Sequence, residues 1–207
     1  MTEALVHTTT RIDNVSVKVV DADITELEVD AIVNPSNTNM VAGKGQTVSG
    51  AIARKTGRRV AEELAEVDRP VRIGEVVHTS GGGLPCRHIF HVAAHAPAAV
   101  ERQMVKEMGI DPDTLRLRAV TQGLTASITG AKAHQCRSLA VPLIGSGTLA
   151  LPVDLSVEII LNTLRAELKK EPGSLRNVFV VIKGNPAHRT FVERADERQL
   201  ELRFSDN

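Results

Sequence analysis

A chain of 207 residues, 42% hydrophobic and 24% charged, is long enough to bury a sizeable core and fits one domain over residues 1–207 better than two. Its 25 basic residues balance 25 acidic ones, which excludes a global field that would recruit nucleic acid or an anionic membrane and leaves a small ligand in a local pocket. Cys86 and Cys136 are too few for a disulfide framework or a four-ligand zinc site, and four Phe without Trp or Tyr leave the core to aliphatic side chains.

The residues after Met1 lack the basic and apolar regions of a secretory signal, and no apolar run reaches membrane-spanning length, so a soluble, cytoplasmic chain is expected. Val15 to Val20 is rich in β-branched residues and predicts a strand, as does the apolar run Ala31-Ile32-Val33. The stripe Val48, Ile52, Val60, Leu64 and Val67 predicts one helix with a break near Gly57. Val76-Val77 and Ile89 to Ala93 predict two strands that form a hairpin around the turn-rich segment Ser80 to Pro85.

Ala98 to Met108 reads as a helix ended by Gly109, and Asp111-Pro112 as the cap and first position of the next. Leu117, Val120, Leu124 and Ile128 continue that helix, with Gly130 as its expected stop. Leu139 to Ile144 is a buried strand, and after Pro152 the residues Leu155, Ile159, Ile160 and Leu164 restore the helical period. Val178 to Ile182 suits a central strand, and a polar amphipathic segment follows it to about Leu202. Strands alternating with helices predict an α/β/α layered domain with a mixed sheet.

Twice a strand runs into a glycine loop and then a helix: at Gly43-Lys44-Gly45 before Val48, and at Gly145-Ser146-Gly147-Thr148 before the helix beyond Pro152. In layered α/β folds ligands sit beyond the carboxyl ends of strands, and free N–H groups at a loop and helix start receive anions. A phosphate-bearing ligand is the expectation. The first loop is not a nucleotide-triphosphatase P-loop, because Thr38 stands where the first glycine is required and Gly45 where Ser or Thr is required. The dinucleotide fingerprint fails as well, with Val48 in place of the third glycine. His88, His91 and His95 lie along one strand, where their spacing does not build a zinc site, so no metal and no cofactor are expected. Ser146 lacks the nucleophile elbow and is read as part of an anion cradle.

Four ordered motifs together resemble the macrodomain family. Ala22-Asp23-Ile24 matches the family's Gly-Asp-Ile, and Val33-Asn34-Pro35-Ser36-Asn37 matches its Val-Asn-Ala-Ala-Asn. Val48-Ser49-Gly50-Ala51-Ile52 is similar to the helix start after the first loop. Thr79 to Pro85 with Ile89-Phe90-His91 looks like the family's hairpin, and Val141 to Gly147 like its second phosphate loop. The resemblance implies a three-layer α/β/α macrodomain-like fold that binds ADP-ribose or an ADP-ribosylated protein, with nucleic acid and membrane as disfavoured partners.

By that resemblance Asp23 accepts from the adenine amino group with the Ile24 N–H assisting, and Asn37 faces the distal ribose beside Asn34. Gly43, Lys44, Gly45 and Val48 on one side, and Gly145, Ser146, Gly147, Thr148 and Leu149 on the other, hold the two phosphates, with Asn185 near the adenine. Some branches hydrolyse ADP-ribosyl linkages or related esters, and Asn37 is the catalytic candidate for water attack assisted by the ligand. Ser49 stands where hydrolytic branches often carry an acid, and Leu149-Ala150 where an aromatic and a glycine are common.

Overall fold

In the computed structural model, residues 5–43 and 45–183 are described. Among them, seven strands form one sheet: β1 (Leu5–Ile12), β2 (Val15–Asp21), β3 (Ala31–Asn37), β4 (Val76–Ser80), β5 (His88–His95), β6 (Ser138–Pro142) and β7 (Asn177–Val181), in the order β1-β2-β7-β6-β3-β5-β4. The five inner strands run parallel, and β1 and β4 add antiparallel edges. The predicted mixed sheet is therefore present, and the Val76 and Ile89 strands pair as the expected hairpin. β1 carries His-Thr-Thr-Thr, which hides its strand character from an apolar count even though threonine's branched Cβ favours the pleat.

Strand periodicity divides the core between two faces. Val15, Val17, Val19, Ala31, Val33, Phe90 and Val92 point to one side, where they pack with Val120, Leu124, Ile128, Ile160 and Leu164. Those last residues belong to α4 (Pro112–Ala133) and α5 (Val153–Lys170). Val20, Ile32, Ile89 and Ala140 face the other side, against Ile52 and Val60 of α1 (Val48–Thr56) and α2 (Arg58–Ala65). A parallel sheet covered on both faces explains why the inner strands read as continuous apolar runs.

The expected break in the first helix falls at Gly57, which has φ 75° and separates α1 from α2. α3 (Ala98–Met108) ends on left-handed Gly109 as predicted, and Asp111 caps α4 by accepting from the Thr114 N–H at 2.9 Å. Gly130 does not stop α4, which continues to Ala133. A Cβ at Gly130 would lie 2.6 Å from Phe90 Cε1, and one at Gly123 would lie 2.1 Å from Val92 Cγ1. Both glycines let α4 settle directly on β5, so their signal is close packing and not helix termination.

At the amino end of the parallel strands Asp30 holds three of them together. Its carboxylate accepts from the Arg137 N–H at 2.6 Å, the Ser138 N–H at 3.0 Å and Arg87 Nη2 at 2.8 Å. Its carbonyl accepts from the N–H groups of Arg87 and His88. No helix among the described residues is long and apolar enough to cross a membrane.

Candidate functional site

Parallel pairing of β2, β7, β6, β3 and β5 sends the chain segments after each of them out of one edge of the sheet. Asp23 follows β2, Lys183 follows β7, the Gly145 loop follows β6, the Gly43 loop follows β3, and His95 ends β5. β3 and β6 are direct neighbours, so the two glycine loops leave adjacent strands on the same side. Lys44 and Asn185 lie outside the described residues.

Asp23 caps a short 3-10 turn, Ile24–Glu26. Its Oδ1 accepts from the Thr25 N–H at 3.0 Å and the Thr25 hydroxyl at 2.6 Å, and its Oδ2 accepts from Lys183 Nζ at 2.7 Å. Burial opposes ionisation, but these hydrogen bonds and the nearby ammonium outweigh it and hold the carboxyl at about 2. A carboxylate offers about four lone-pair directions, of which the described residues use three, leaving one on Oδ2 for an incoming donor. The Ile24 side chain is buried beneath this turn and anchors it.

The first loop is closed from within. Gly43 N–H donates to Ser49 Oγ at 3.2 Å, and Thr47 caps α1 by accepting from the Gly50 N–H at 3.1 Å. Arg54 Nη1 donates to the Gly45 carbonyl at 3.0 Å, and Gly45 takes φ 65°. Among the described residues, the N–H groups of Gly45, Val48 and Ser49 have no acceptor, the ordinary condition of a helix start open to an anion. Asn37 folds back on this loop. Its Oδ1 accepts from the N–H groups of Asn39 at 3.0 Å and Val41 at 3.3 Å, and its Nδ2 donates to the Val41 carbonyl at 2.8 Å.

In the second loop the amides of Ala150 and Leu151 donate to the carbonyls of Gly147 and Gly145, and the Ser146 hydroxyl donates to the Leu143 carbonyl at 3.0 Å. The N–H groups from Gly145 through Leu149 have no acceptor among the described residues. Gly147 and Thr148 are exposed, whereas the Leu149 side chain is buried in the main core and pins the loop to the fold. Gly145 adopts φ 107° and sits over Ser156, whose buried hydroxyl has no partner among the described residues.

Asn34 lies deeper, at 4% exposure. Its Nδ2 contacts His91 Nδ1 at 2.9 Å, and His91 Nε2 contacts Thr79 Oγ1 at 2.8 Å. Thr79 Oγ1 donates to the Ser80 carbonyl, so it receives the Nε2 proton, and Nδ1 accepts from Asn34. Burial, with a smaller push from His78, lowers the His91 pKa to about 4 and keeps the ring neutral. Asn34 Oδ1 remains without a partner among the described residues. The histidine row anticipated from sequence thus separates: His91 crosslinks β3, β5 and β4, His88 pairs with His78, and His95 sits at the loop edge. Sequence reasoning missed Lys183 as partner of Asp23 and Ser49 as the acceptor closing the first loop. Thr47, placed directly before the helical stripe, carried a readable capping signal.

Comparison with known proteins agrees with this architecture. The Macro domain family model matches residues 33–160. An uncharacterized protein of Mycobacterium tuberculosis is 33% identical over 88% of this chain, and the chain spans about half of that relative's length (46%). A macro domain-containing protein of Chlorobaculum tepidum is 31% identical over 81% of this chain and 88% of its own length. The ADP-ribose glycohydrolase MACROD1 of Rattus norvegicus is 28% identical over 82% of this chain and 60% of its own. Among solved structures, the Oceanobacillus iheyensis macrodomain with ADP superposes with a TM-score of 0.79 at 20% identity, covering 97% of this chain and 100% of that one. The Trypanosoma brucei macrodomain in complex with ADP-ribose gives 0.70 at 23% identity over 86% and 68%. By sequence and by fold, the chain belongs to the macro domain family.

Proposed function

We propose that the chain binds ADP-ribose, free or attached to a protein, across the carboxyl edge of its parallel strands. The observation that carries this is the placement of two loops, whose N–H groups find no acceptor among the described residues, on adjacent strands, β3 and β6, with the ionised Asp23 two strands beyond β6. Two such loops suit a diphosphate, whose oxygens accept from free N–H groups at a loop and helix start. Asp23, fixed by Thr25 and Lys183, keeps one lone pair for the adenine amino group. Asn37 meets the distal ribose by exchanging its bonds to Asn39 and Val41 for bonds to hydroxyls.

Hydrolysis of an ADP-ribosyl linkage is the second reading, favoured by the likeness to the rat glycohydrolase. Ser49 limits it: the hydroxyl is buried and already accepts from Gly43, so it supplies no base to activate water. Water attack in this chain would rely on Asn37 and a ligand phosphate. Binding is therefore the primary function and hydrolysis the secondary one. Titration calorimetry with ADP-ribose tests the first, and absence of binding at millimolar ligand overturns it. Incubation with mono-ADP-ribosylated protein, followed by mass spectrometry, tests the second, and an unchanged adduct removes it.

A further inference from the structure

The opposite end of the sheet holds a cluster that the ligand edge does not use. His78 on β4, His88 at the start of β5 and His134 at the C-cap of α4 converge from three elements, with one ring nitrogen from each lying within 4.8 Å of the others. His78 Nε2 and His88 Nδ1 are 2.9 Å apart, and the His134 ring lies 4.1 Å from that of His78 and 4.7 Å from that of His88, centroid to centroid. His78 and His88 are diagonal neighbours on one face of the hairpin, because His78 pairs with Phe90 and Ser80 with His88. The end of α4 lies over that same face.

We propose that His78, His88 and His134 form a binding site for a divalent transition metal of the zinc, nickel or copper class. Imidazole is a ligand these ions share, and metal–nitrogen bonds of about 2.0–2.1 Å place tetrahedral nitrogens about 3.3 Å apart. The three nitrogens now lie within 4.8 Å of one another, and the stacked His78 and His134 rings must turn for their lone pairs to converge on one ion. The pair at 2.9 Å already aims two ring nitrogens at each other across a single shared proton, and a cation takes that place once the donor ring shifts its proton to its other nitrogen, leaving both imidazoles neutral. Three protein ligands leave a fourth position for water, facing the groove of about 690 Å³ that His78 and His134 line with Phe90 and Gln122. The fold gives the metal a role: it ties the edge hairpin β4–β5 to the end of α4. Spacing within one strand pointed away from metal, because the third ligand comes from a helix end distant in sequence.

The test uses the full chain without a purification tag, stripped with chelator and titrated with Zn²⁺ against a chromophoric competitor. One zinc per chain is expected, with a rise in Tm on loading and the visible absorption of a tetrahedral site when Co²⁺ replaces zinc. H78A, H88A and H134A should each weaken zinc binding at least tenfold and abolish the Co²⁺ band, while H95A, at the other end of β5, should leave both unchanged. His134 is an exposed helix cap, so H134A serves as the variant that folds, checked by circular dichroism. Absence of stoichiometric zinc binding in the parent chain overturns the proposal, and so does retention of binding by folded H134A.

Discussion

Lys183 donates its ammonium to Asp23 Oδ2 at 2.7 Å, joining the end of β7 to the turn after β2. The carboxylate therefore has its charge and its rotamer fixed before any ligand arrives. Asp23→Ala should weaken ADP-ribose binding by about 1–3 kcal/mol, roughly fivefold to 150-fold, and should abolish discrimination against the inosine analogue. Calorimetry with both ligands measures it, and unchanged discrimination contradicts the assignment. Lys183 is 71% exposed, so Lys183→Ala should cost no more than about 1 kcal/mol of stability. Because the Asp23 pKa is lowered, its contribution is complete above the ordinary value of 3.8 and is lost as pH falls through about 2. Adenine selectivity should accordingly be flat from pH 8 to pH 5.

His91 makes stability depend on pH in milder acid. It is neutral in the fold, with a pKa near 4 against an ordinary 6.5, so between those values the unfolded chain takes a proton that the native chain refuses. Stability is full above about pH 6.5, falls as pH drops toward 4, and then levels off for this group. The difference corresponds to roughly 3 kcal/mol. Urea midpoints at pH 7.5 and 4.5 should differ more in the parent chain than in His91→Gln, and equal pH slopes would rule out a neutral buried ring.

Asp30 is a structural clamp at the edge opposite the ligand loops. Burial opposes its ionisation, and hydrogen bonds from Arg137, Arg87 and Ser138 more than offset this, lowering its pKa. Asp30→Ala strands the Arg137 and Ser138 N–H groups and should cost about 1–3 kcal/mol of stability. Denaturant unfolding measures the loss. ADP-ribose affinity of the folded fraction should be unchanged, and a parallel loss of affinity would show that the clamp also shapes the ligand edge.

Much of this molecule was legible in the residues because local signals and the fold agree. The runs Val15 to Val20 and Val178 to Val181 lie in β2 and β7, where every valine is buried, and Asp111-Pro112 begins a helix where cap chemistry requires one. Gly130 misled because a helical glycine carries the same letter whether it ends a helix or admits a phenyl ring, and only the β5 partner distinguishes the two. β1 was invisible because threonines supply its middle and its stability comes from pairing with β2. At the site, the positions of the two loops followed from strand endings, but the partners of Asp23 and His91 did not. Lys183 stands 160 residues from Asp23 and Asn34 stands 57 from His91, and pairing across a sheet leaves no local pattern.

The second loop separates backbone requirement from ligand requirement at two glycines. Gly145 takes φ 107°, and a Cβ there would lie 3.0 Å from both Leu151 Cδ1 and Ser156 Oγ, so Gly145→Val combines an unfavourable backbone with a crowded core. It should cost about 1–3 kcal/mol of stability and weaken ADP-ribose binding as the loop shifts. A Cβ at Gly147 would meet nothing within 4 Å among the described residues, and the position is exposed, so Gly147→Ala should change stability by less than about 0.5 kcal/mol. If the Gly147 N–H faces a phosphate, an added methyl group should still lower affinity severalfold by holding the oxygen away. Thermal unfolding and calorimetry on the two variants discriminate the roles. Normal affinity in Gly147→Ala would mean that the open side of this loop is turned toward solvent and not toward the diphosphate.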